Sequence, residues 1–342
     1  MIQLEHRVNA LVKAGQKFSD NKDLRVQSAK RKAEYENPWF TQENIERAIS
    51  GVTDKFTNKE QLDSWLVKYS FPETSKPKIL GLVLAGNIPM VGIHDIICGF
   101  LAGHNMHLKY SDKDKILIPL FIEFLIEAEA ECAGQFEERE RLNEADLVIA
   151  TGSDNSSRYF DYYFGKIPNI IRKNRTSIAV LKEGTSREEL TELGKDIFYY
   201  FGMGCRNVSK LYLPKGYPIE LILEVYEEWK ALALHNKYKN NFDYNYAIFL
   251  LNQTKFFAND CLIALEEPSI YSRISCIHFS YYDNLAEVQK ELLGLSEKIQ
   301  CIVSNCNFKD ISVLPFGKSQ SPELEDYADG VDTMKFLLEH HV

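Results

Sequence analysis

The sequence predicts an α/β protein made of two doubly wound domains, preceded by a helical N-terminal segment. Continuous apolar runs such as Ile79–Leu84 are typical of strands that are buried on both faces of a parallel sheet. From Lys78 onward these runs alternate with helical patterns, as expected of successive βαβ units. Residues 1–70 are instead polar and helical in pattern, and Pro72 and Pro77 indicate a linker into the main fold.

The elements follow one another in a regular order. The N-terminal segment has three predicted helices: Ile2–Lys17, Gln42–Ile49 and Lys59–Tyr69. The first α/β series is predicted as strand Ile79–Leu84, helix Val91–Leu101, strand Asn105–Lys109, helix Ile116–Glu131, strand Asp146–Ala150 and helix Asn155–Phe164. The second is predicted as strand Ser177–Leu181, helix Arg187–Tyr200, strand Lys210–Leu213, helix Ile219–Leu234, and strands Ile274–His278 and Gln300–Ser304.

Composition excludes several classes of function. The chain has 342 residues and a net charge of −9, which argues against nucleic acid or an anionic membrane as the main partner. No apolar run approaches the roughly 20 residues of a membrane span, and Met1–Arg7 does not resemble a secretory signal. The seven cysteines form no CxxC pair, so we expect no disulfide framework and a reducing, cytoplasmic location. His94, His104 and His107 lack metal-site spacing, and no metal is predicted.

Two of the predicted strands, Ile79–Leu84 and Asp146–Ala150, end in turns of small residues. Ligands of open α/β sheets bind outside the carboxyl ends of the strands. The sequence therefore predicts one crevice formed by Gly86, Asn87, Gly152 and Ser153. No Gly-x-Gly-x-x-Gly fingerprint follows a strand, so a dinucleotide would have to bind by another route.

Cys205 directly follows Gly202–Gly204, where the glycines let the backbone bend sharply. A thiol on such a bend can reach a pocket and act as a nucleophile. The default for a lone cysteine is a small buried hydrophobe, and we expect this for the other six. We also expect Tyr159, Tyr162 and Tyr163 to pack, and Arg172, Lys173 and Arg175 to form a solvated face or to contact CoA phosphates.

Four segments resemble, in order, motifs of the aldehyde dehydrogenase superfamily. Ala85–Pro89 with Leu108–Ser111 resembles its "WNFP … KPS" pair, and Ile149–Ser153 resembles its "FTGS". Gly202–Cys205 resembles its "GQxC", and Pro315–Ser319 resembles its "PFGG". Within the superfamily, three segments are similar to the luminescence-type (LuxC-type) acyl-CoA reductases: Arg172–Ser177, Gly204–Lys210 and Asp326–Thr333.

This resemblance implies a domain organisation. The superfamily has a cofactor domain, a catalytic domain and an oligomerisation arm. We therefore expect a helical segment at 1–70, a Rossmann-like nicotinamide cofactor domain at 71–176, a catalytic thiol domain at 177–310 and a C-terminal oligomerisation or closing segment at 311–342. A homo-oligomer is expected, with Asp326–Leu337 as the candidate arm.

The resemblance also implies roles for site residues. Cys205 would be the nucleophile, and the Asn87 amide with the Cys205 backbone N–H would hold the carbonyl oxygen as charge builds on it. Cofactor binding is expected at Lys109, Ser111, Thr151, Gly152 and Ser153. Because a lysine suits a 2′-phosphate, Lys109 favours NADPH, while the neighbouring Asp112 keeps NADH open.

One departure from the superfamily favours a particular substrate. Aldehyde-oxidising members have a glutamate that activates water, whereas Ile171–Arg175 contains no acid. The resemblance therefore favours reduction of an acyl-CoA, with a fatty acyl group preferred, to an aldehyde. The superfamily also has a ribose-binding acid in an "EIFGP" element. Glu267–Tyr271 lies near the corresponding position, but its alignment with that element is open and no role is assigned to it. Two alternatives remain: a glutamyl-phosphate-type acyl phosphate reductase, and a catalytically silent nucleotide-binding or interaction protein.

Overall fold

The computed structural model describes residues 2–72, 76–152 and 154–341. The chain divides into two compact units. Unit 1 consists of Met1–Asn174 with Pro322–Val342, and unit 2 consists of Arg175–Ser321. Each unit contains one predominantly or wholly parallel sheet, so the predicted α/β class is confirmed.

The N-terminal helices belong to the core of unit 1. They are α1 Leu4–Phe18, α2 Leu24–Glu36, α3 Gln42–Gly51 and α4 Lys59–Leu66. The side chains of Asp23, Thr41 and Asn58 cap the last three by accepting from backbone N–H groups of the first turn. Leu11 and Phe18 are fully buried in the same apolar cluster as strand residues of the sheet, so burial of this face stabilises the helices.

The sheet of unit 1, sheet A, is doubly wound. Its strands in the described residues are β1 Ile79–Val83, β2 Asn105–Lys109, β3 Phe136–Glu138, β4 Leu147–Thr151 and β5 Asn169–Arg172. The helices that follow β1, β2 and β4 are α5 Ile93–Ala102, α6 Leu117–Ala128 and α7 Asp154–Phe164. The strand order is β3-β2-β1-β4-β5 and every pairing is parallel. The order reverses beside β1, and such switch points are where open sheets bind ligands.

The sheet of unit 2, sheet B, has the order β11-β6-β7-β10-β9-β8. Its strands in the described part of the chain are β6 Thr176–Val180, β7 Val208–Pro214, β8 Phe257–Ala258, β9 Ile263–Glu266, β10 Cys276–Tyr282 and β11 Ile299–Ser304. The α-helices of the unit are α8 Arg187–Phe198, α9 Ile219–Val225, α10 Asn236–Leu251 and α11 Leu285–Gly294. Only the edge pairing of β8 with β9 is antiparallel among the pairings of these described strands.

Two predicted helices end earlier than expected. The helix expected over Ile219–Leu234 is α9 followed by a 3₁₀ segment at Tyr226–Leu234. The helix expected over Arg187–Tyr200 stops at Phe198, because Tyr199 has an extended ψ of 142° and Tyr200 is left-handed, and neither conformation continues a helix. Within the described residues, no helix combines the length and the apolar content needed to cross a membrane.

The C-terminal segment of unit 1 packs on its own chain. Its helix, α12 Thr333–Glu339, contacts α5 and fully buries Met334 and Leu337. Upstream of α12, Trp65 Nε1 donates a hydrogen bond to the Tyr327 hydroxyl at 2.8 Å. Part of the segment expected to form an arm is therefore integrated into unit 1, and a role in assembly stays a prediction.

Helix α7 corrects one expectation. Tyr159, Tyr162 and Tyr163 are exposed, so the prediction that they pack is wrong. The face of α7 that meets sheet A is formed by Phe160 and Phe164, spaced four residues apart, and they pack against strand residues of β4. The tyrosines lie on the remaining surface of the helix.

Candidate functional site

The turns that were predicted to form a crevice follow β1 and β4, at the switch point of sheet A. Gly86 and Asn87 follow β1, and Gly152 follows β4. The two strands are parallel neighbours, with Val83 paired to Ala150, so their turns leave the same edge of the sheet. Thr151 is the last residue of β4, and Ser153 lies outside the described residues.

Both turns require glycine because of close approaches. A Cβ on Gly86 would lie 2.7 Å from Ser111 Oγ. A Cβ on Gly152 would lie 2.8 Å from carbon atoms of both Ser156 and Phe160. The turn after β1 therefore packs directly on the residues that follow β2, which brings Gly86 and Ser111 together as the sequence motifs suggest.

The last residue of β2 is a lysine. This residue, Lys109, is exposed. The carboxylate of Asp112 pairs with Lys115 Nζ at 2.6 Å, and this pairing lowers the pKa of Asp112. Asp112 thus has a cationic partner three residues away. The cofactor contacts of Lys109, Ser111, Thr151 and Gly152 stay predictions.

Asp114 supports the turn that contains Asn87. Its Oδ2 accepts a hydrogen bond from the Met90 backbone N–H at 2.7 Å, and Met90 has a left-handed φ of 59°. Asp114 is buried, and burial raises the pKa of its carboxyl to about 6. A strained turn residue is therefore held by a carboxyl whose charge is costly.

Arg172 is neither solvated nor available for CoA phosphates, so both readings are wrong for this residue. Its side chain is buried and forms a bidentate pair with the buried Asp95, with Nη2 to Oδ1 at 2.7 Å. Nη2 also donates to Thr333 Oγ1 at 3.2 Å. This pair joins β5, α5 and the start of α12. The two partners are 77 positions apart in the sequence, so no local pattern predicts the ion pair.

Cys205 differs from the other cysteines in exposure. All seven lie within the described ranges, and Cys205 is the only one of them that is exposed. Burial raises the pKa of Cys132 to about 11 and the pKa values of Cys261 and Cys276 to about 12. Such thiols are inert at neutral pH, and the expected burial of the other six cysteines is confirmed.

A left-handed turn precedes Cys205. Tyr200, Phe201 and Gly202 have φ values of 53°, 58° and 74° in succession. The two aromatic residues are buried, and the Phe201 ring contacts the His235 ring in a tilted arrangement with centroids 4.5 Å apart. Non-glycine residues in this region cost about 1–3 kcal/mol each and tend to occur at functional sites. The predicted bend therefore begins two residues before Gly202.

Hydrogen bonds fix the loop on both sides of Cys205. Asn207 donates from Nδ2 to Tyr199 O at 2.8 Å, and its Oδ1 accepts from the Gly204 N–H at 2.8 Å. Ser177, on β6, donates from Oγ to Cys205 O at 3.0 Å. The thiol thus sits on a loop whose backbone is tied to the end of α8 and to sheet B.

Asp196 ties a second predicted motif to α8. This buried carboxylate accepts from the Gly317 N–H at 2.6 Å, from the Ser319 N–H at 2.9 Å and from Ser319 Oγ at 2.7 Å. Burial raises its pKa, although these hydrogen bonds oppose the change. The Pro315–Ser319 segment therefore lies on the helix that leads to Cys205. The sequence analysis did not identify Asp196 as a functional candidate. An acidic residue next to an apolar residue of a predicted helix, Ile197, was the available signal that it is buried.

Lys210 was also missed as a possible functional group. It lies on β7, five residues after Cys205, and its side chain is completely buried. Nζ donates to Glu267 O and to Ser280 Oγ, and burial lowers the pKa of the amine to about 8. A charged residue within an apolar strand was the available signal. No group of three or more His, Cys, Asp or Glu side chains in the described residues could hold a metal ion.

Neither a protein-family model nor a curated protein matches the sequence. Solved structures do match. Aldehyde dehydrogenase 21 from Physcomitrella patens, in complex with the reaction product succinate, is 13% identical with a TM-score of 0.71, over 99% of this chain and 84% of that chain. An aldehyde dehydrogenase from Mycobacterium tuberculosis, complexed with NAD+, is 13% identical with a TM-score of 0.66, over 90% and 79%.

A third similar structure is the gamma-glutamyl-gamma-aminobutyraldehyde dehydrogenase from Burkholderia cenocepacia J2315. It is 12% identical with a TM-score of 0.66, over 90% of this chain and 77% of that chain. At such identities the likeness concerns the fold. The predicted architecture is confirmed, whereas the LuxC-type assignment stays a prediction. The chain has the aldehyde dehydrogenase fold, with a five-stranded parallel sheet in unit 1 and a six-stranded, predominantly parallel sheet in unit 2.

Proposed function

We propose that this protein is an NADPH-dependent acyl-CoA reductase that forms an aldehyde through an acyl thioester on Cys205. The observation that carries the proposal is the placement of Cys205. It is the one exposed cysteine of the seven, all of which are described, and it follows a strained turn whose loop is tied down by Asn207 and Ser177. Reactive cysteines are at least partly exposed, whereas structural cysteines are buried and inert.

The chemistry begins with attack of the Cys205 thiolate on the acyl-CoA carbonyl. A bond forms between Sγ and the carbonyl carbon, and the bond to the CoA sulfur breaks, so that CoA leaves as a thiolate and takes up a proton. The product is an acyl thioester on Cys205. A nicotinamide dinucleotide, when bound, supplies the hydride that reduces this carbonyl. The sulfur–carbon bond of the resulting thiohemiacetal then breaks, its hydroxyl proton is lost, and the aldehyde and the Cys205 thiolate are released.

The chain's own residues supply charge stabilisation. We propose that the Asn87 side-chain amide and the Cys205 backbone N–H donate hydrogen bonds to the carbonyl oxygen. One such donor typically increases the rate about 100- to 1,000-fold. No acid occurs in Ile171–Arg175, the stretch where aldehyde-oxidising enzymes have a water-activating glutamate. This absence favours transfer of the acyl group between thiols over its hydrolysis.

The turns at the switch point of sheet A are the proposed binding site of a nicotinamide dinucleotide. The turns at Gly86 and Gly152 leave the switch point of sheet A, and a side chain at either glycine would collide with neighbouring atoms. Backbone without side chains allows close approach of a pyrophosphate. We propose that Gly152 with Thr151 and Ser153 holds that part, and that Lys109 with Ser111 binds the adenosine ribose. The exposed amine of Lys109 favours the 2′-phosphate of NADPH over NADH.

The test is aldehyde formation from acyl-CoA and NADPH. We expect aldehyde, free CoA and oxidised cofactor in equal amounts. Cys205→Ser should reduce the reaction to background, whereas Cys276→Ser, which alters a buried thiol of the same unit, should retain it. Equal aldehyde formation by Cys205→Ser would contradict the mechanism. Aldehyde from an acyl phosphate but from no acyl-CoA would favour the acyl phosphate reductase, and failure with both would favour a silent protein.

A further inference from the structure

Asn207 lies two residues after Cys205 and is almost completely buried, with 2% of its surface exposed. Its amide nitrogen donates to three carbonyl oxygens at the end of α8: Asp196 O at 3.1 Å, Ile197 O at 3.3 Å and Tyr199 O at 2.8 Å. Its amide oxygen accepts from Gly204 N, the residue before the cysteine. The Asn207 backbone N–H donates to Gly204 O at 3.0 Å and closes the loop. One side chain therefore joins the helix end to both sides of Cys205.

The carbonyls that Asn207 contacts lie at the C-terminal end of α8. The last carbonyls of a helix have no intrahelical partners and form the negative end of its dipole. A thiolate on the loop that follows this end would be disfavoured by their partial charges. The two amide hydrogens of Asn207 are shared among three of these oxygens, so they reduce that repulsion and hold the left-handed turn in place.

Ser177 fixes the same loop from the sheet. It is completely buried on β6, donates from Oγ to Cys205 O, and accepts from the Cys301 N–H at 3.1 Å. The pairing of β6 with β7 skips Ser209, because Ser177 pairs with Val208 and Ile178 pairs with Lys210. Such a bulge interrupts the ladder and often re-aims groups beside an active site. The Ser177 hydroxyl bonds to main-chain atoms beside this irregularity.

We propose that Asn207 and Ser177 are positioning residues of Cys205, which hold its loop against α8 and β6 and favour the thiolate over the thiol. The inference rests on the proposed function in that it treats Cys205 as the reactive group. Neither side chain needs to touch the substrate. Their effect is on where the sulfur lies and on the partial charges around it.

The test is the rate at which iodoacetamide alkylates Cys205 as a function of pH, followed by mass spectrometry of the peptide that contains it. For Asn207→Ala we expect the midpoint of the profile to rise by about one pH unit, so that alkylation at neutral pH slows by roughly tenfold. Asn207→Asp should shift the midpoint further, since it places a carboxylate against the same carbonyls. Ser177→Ala should slow alkylation by a smaller factor.

Matched controls separate positioning from general stability. Asn245 is equally buried; it donates to Ile274 O at 3.0 Å and accepts from Arg273 Nη1 at 3.2 Å. Ser304 matches Ser177, because its Oγ donates to Val180 O at 2.7 Å and accepts from the Cys306 N–H at 2.9 Å. Asn245→Ala and Ser304→Ala should lower the melting temperature and leave the alkylation profile of Cys205 unchanged.

The outcomes are distinct. An unchanged alkylation profile in every Asn207 and Ser177 variant that folds would overturn the inference, and so would equal shifts in the two controls. If the Asn207 variants do not fold, Ser177→Ala against Ser304→Ala decides. If the wild-type protein accepts no acyl group from any acyl-CoA but the profile still shifts, the proposed function fails and the positioning role stands.

Discussion

At the scale of single residues, burial separates the ionisable groups of this protein into different classes. The thiols of Cys261 and Cys276 are buried and their pKa values are raised to about 12, so they remain protonated at neutral pH. Cys205 is exposed and lies on a loop tied by Asn207. The buried carboxyl of Asp114 is different again, because it serves as an acceptor for a strained turn. Burying its charge therefore destabilises the folded state, although the carboxyl supplies the acceptor for the Met90 N–H.

Asp114→Asn should stabilise the protein at neutral pH. The pKa of the buried carboxyl is about 6, above its usual 3.8, so the folded state loses stability as pH rises from about 4 to about 6. The amide oxygen of asparagine can still accept from Met90 N–H, and it carries no charge. We expect a gain of up to roughly 3 kcal/mol in the free energy of unfolding at pH 7.

Urea unfolding of the two proteins checks this at pH 7 and at pH 4. At pH 4 most of the gain should disappear, because Asp114 is then protonated in the folded state and partly protonated in the unfolded state. Asp161→Asn, at an exposed position of α7, is the control and should change little. A gain that is the same at both pH values would contradict the explanation by burial of charge.

At the scale of elements, the surface that each element buries decides its role. Helix α7 meets sheet A through Phe160 and Phe164, which pack on residues of β4, and it exposes three tyrosines. Phe160 also lies within 2.8 Å of the position that a Gly152 side chain would occupy. The contact between α7 and the proposed pyrophosphate turn therefore depends on the phenylalanines, and the tyrosines contribute little to it.

Phe160→Ala should lower the free energy of unfolding by about 1–3 kcal/mol, less than for a completely buried phenylalanine because Phe160 is half-buried. It should also weaken nicotinamide binding, because the turn at Gly152 loses its support. The comparison is with Tyr162→Ala, whose exposed ring should be worth less than about 0.5 kcal/mol. Thermal unfolding and a cofactor fluorescence titration measure the two effects. Equal losses in both variants would contradict the assignment of the two faces.

The elements also show how far sequence reasoning reaches. The strands β1 and β4 were predicted to within one residue at each end, because an apolar run between turns indicates a buried strand. The strand Asn105–Lys109 was predicted with its observed ends. Helix α10 was missed. Its Tyr244, Leu250 and Leu251 are exposed, so its apolar residues do not follow one face. The edge strand β8 has only two residues and offers no pattern.

The residues of the candidate site could be named from the sequence, and their roles stay predictions. Ordered motifs indicated Cys205, Asn87, Gly86 and Gly152, because turns after strands have a recognisable composition. The contacts that hold Cys205 were not predictable. Asn207 and Ser177 are 30 positions apart in sequence and lie on different elements, and a hydrogen bond between distant backbone and side-chain atoms leaves no periodic signal. The same holds for the pair of Arg172 with Asp95.

At the scale of the whole molecule, the candidate residues of the two units lie at opposite ends of the strands of their own sheets. In unit 1 the proposed cofactor turns follow the carboxyl ends of β1 and β4. In unit 2 Cys205 precedes the first residue of β7, and the loop is fixed by groups on α8 and β6. The C-terminal segment completes unit 1, where the Arg172–Asp95 pair reaches Thr333. The chain thus combines a doubly wound sheet with a separate unit that presents one exposed thiol.

The most direct test of the central claim is the intact mass of the protein after incubation with a panel of acyl-CoAs in the absence of nicotinamide cofactor. Without hydride the reaction should stop at the thioester, so we predict a mass increase equal to one acyl group in the wild-type protein and none in Cys205→Ala. The chain lengths that give an adduct would define the substrate. No adduct from any acyl-CoA, while iodoacetamide still alkylates Cys205, would contradict the account.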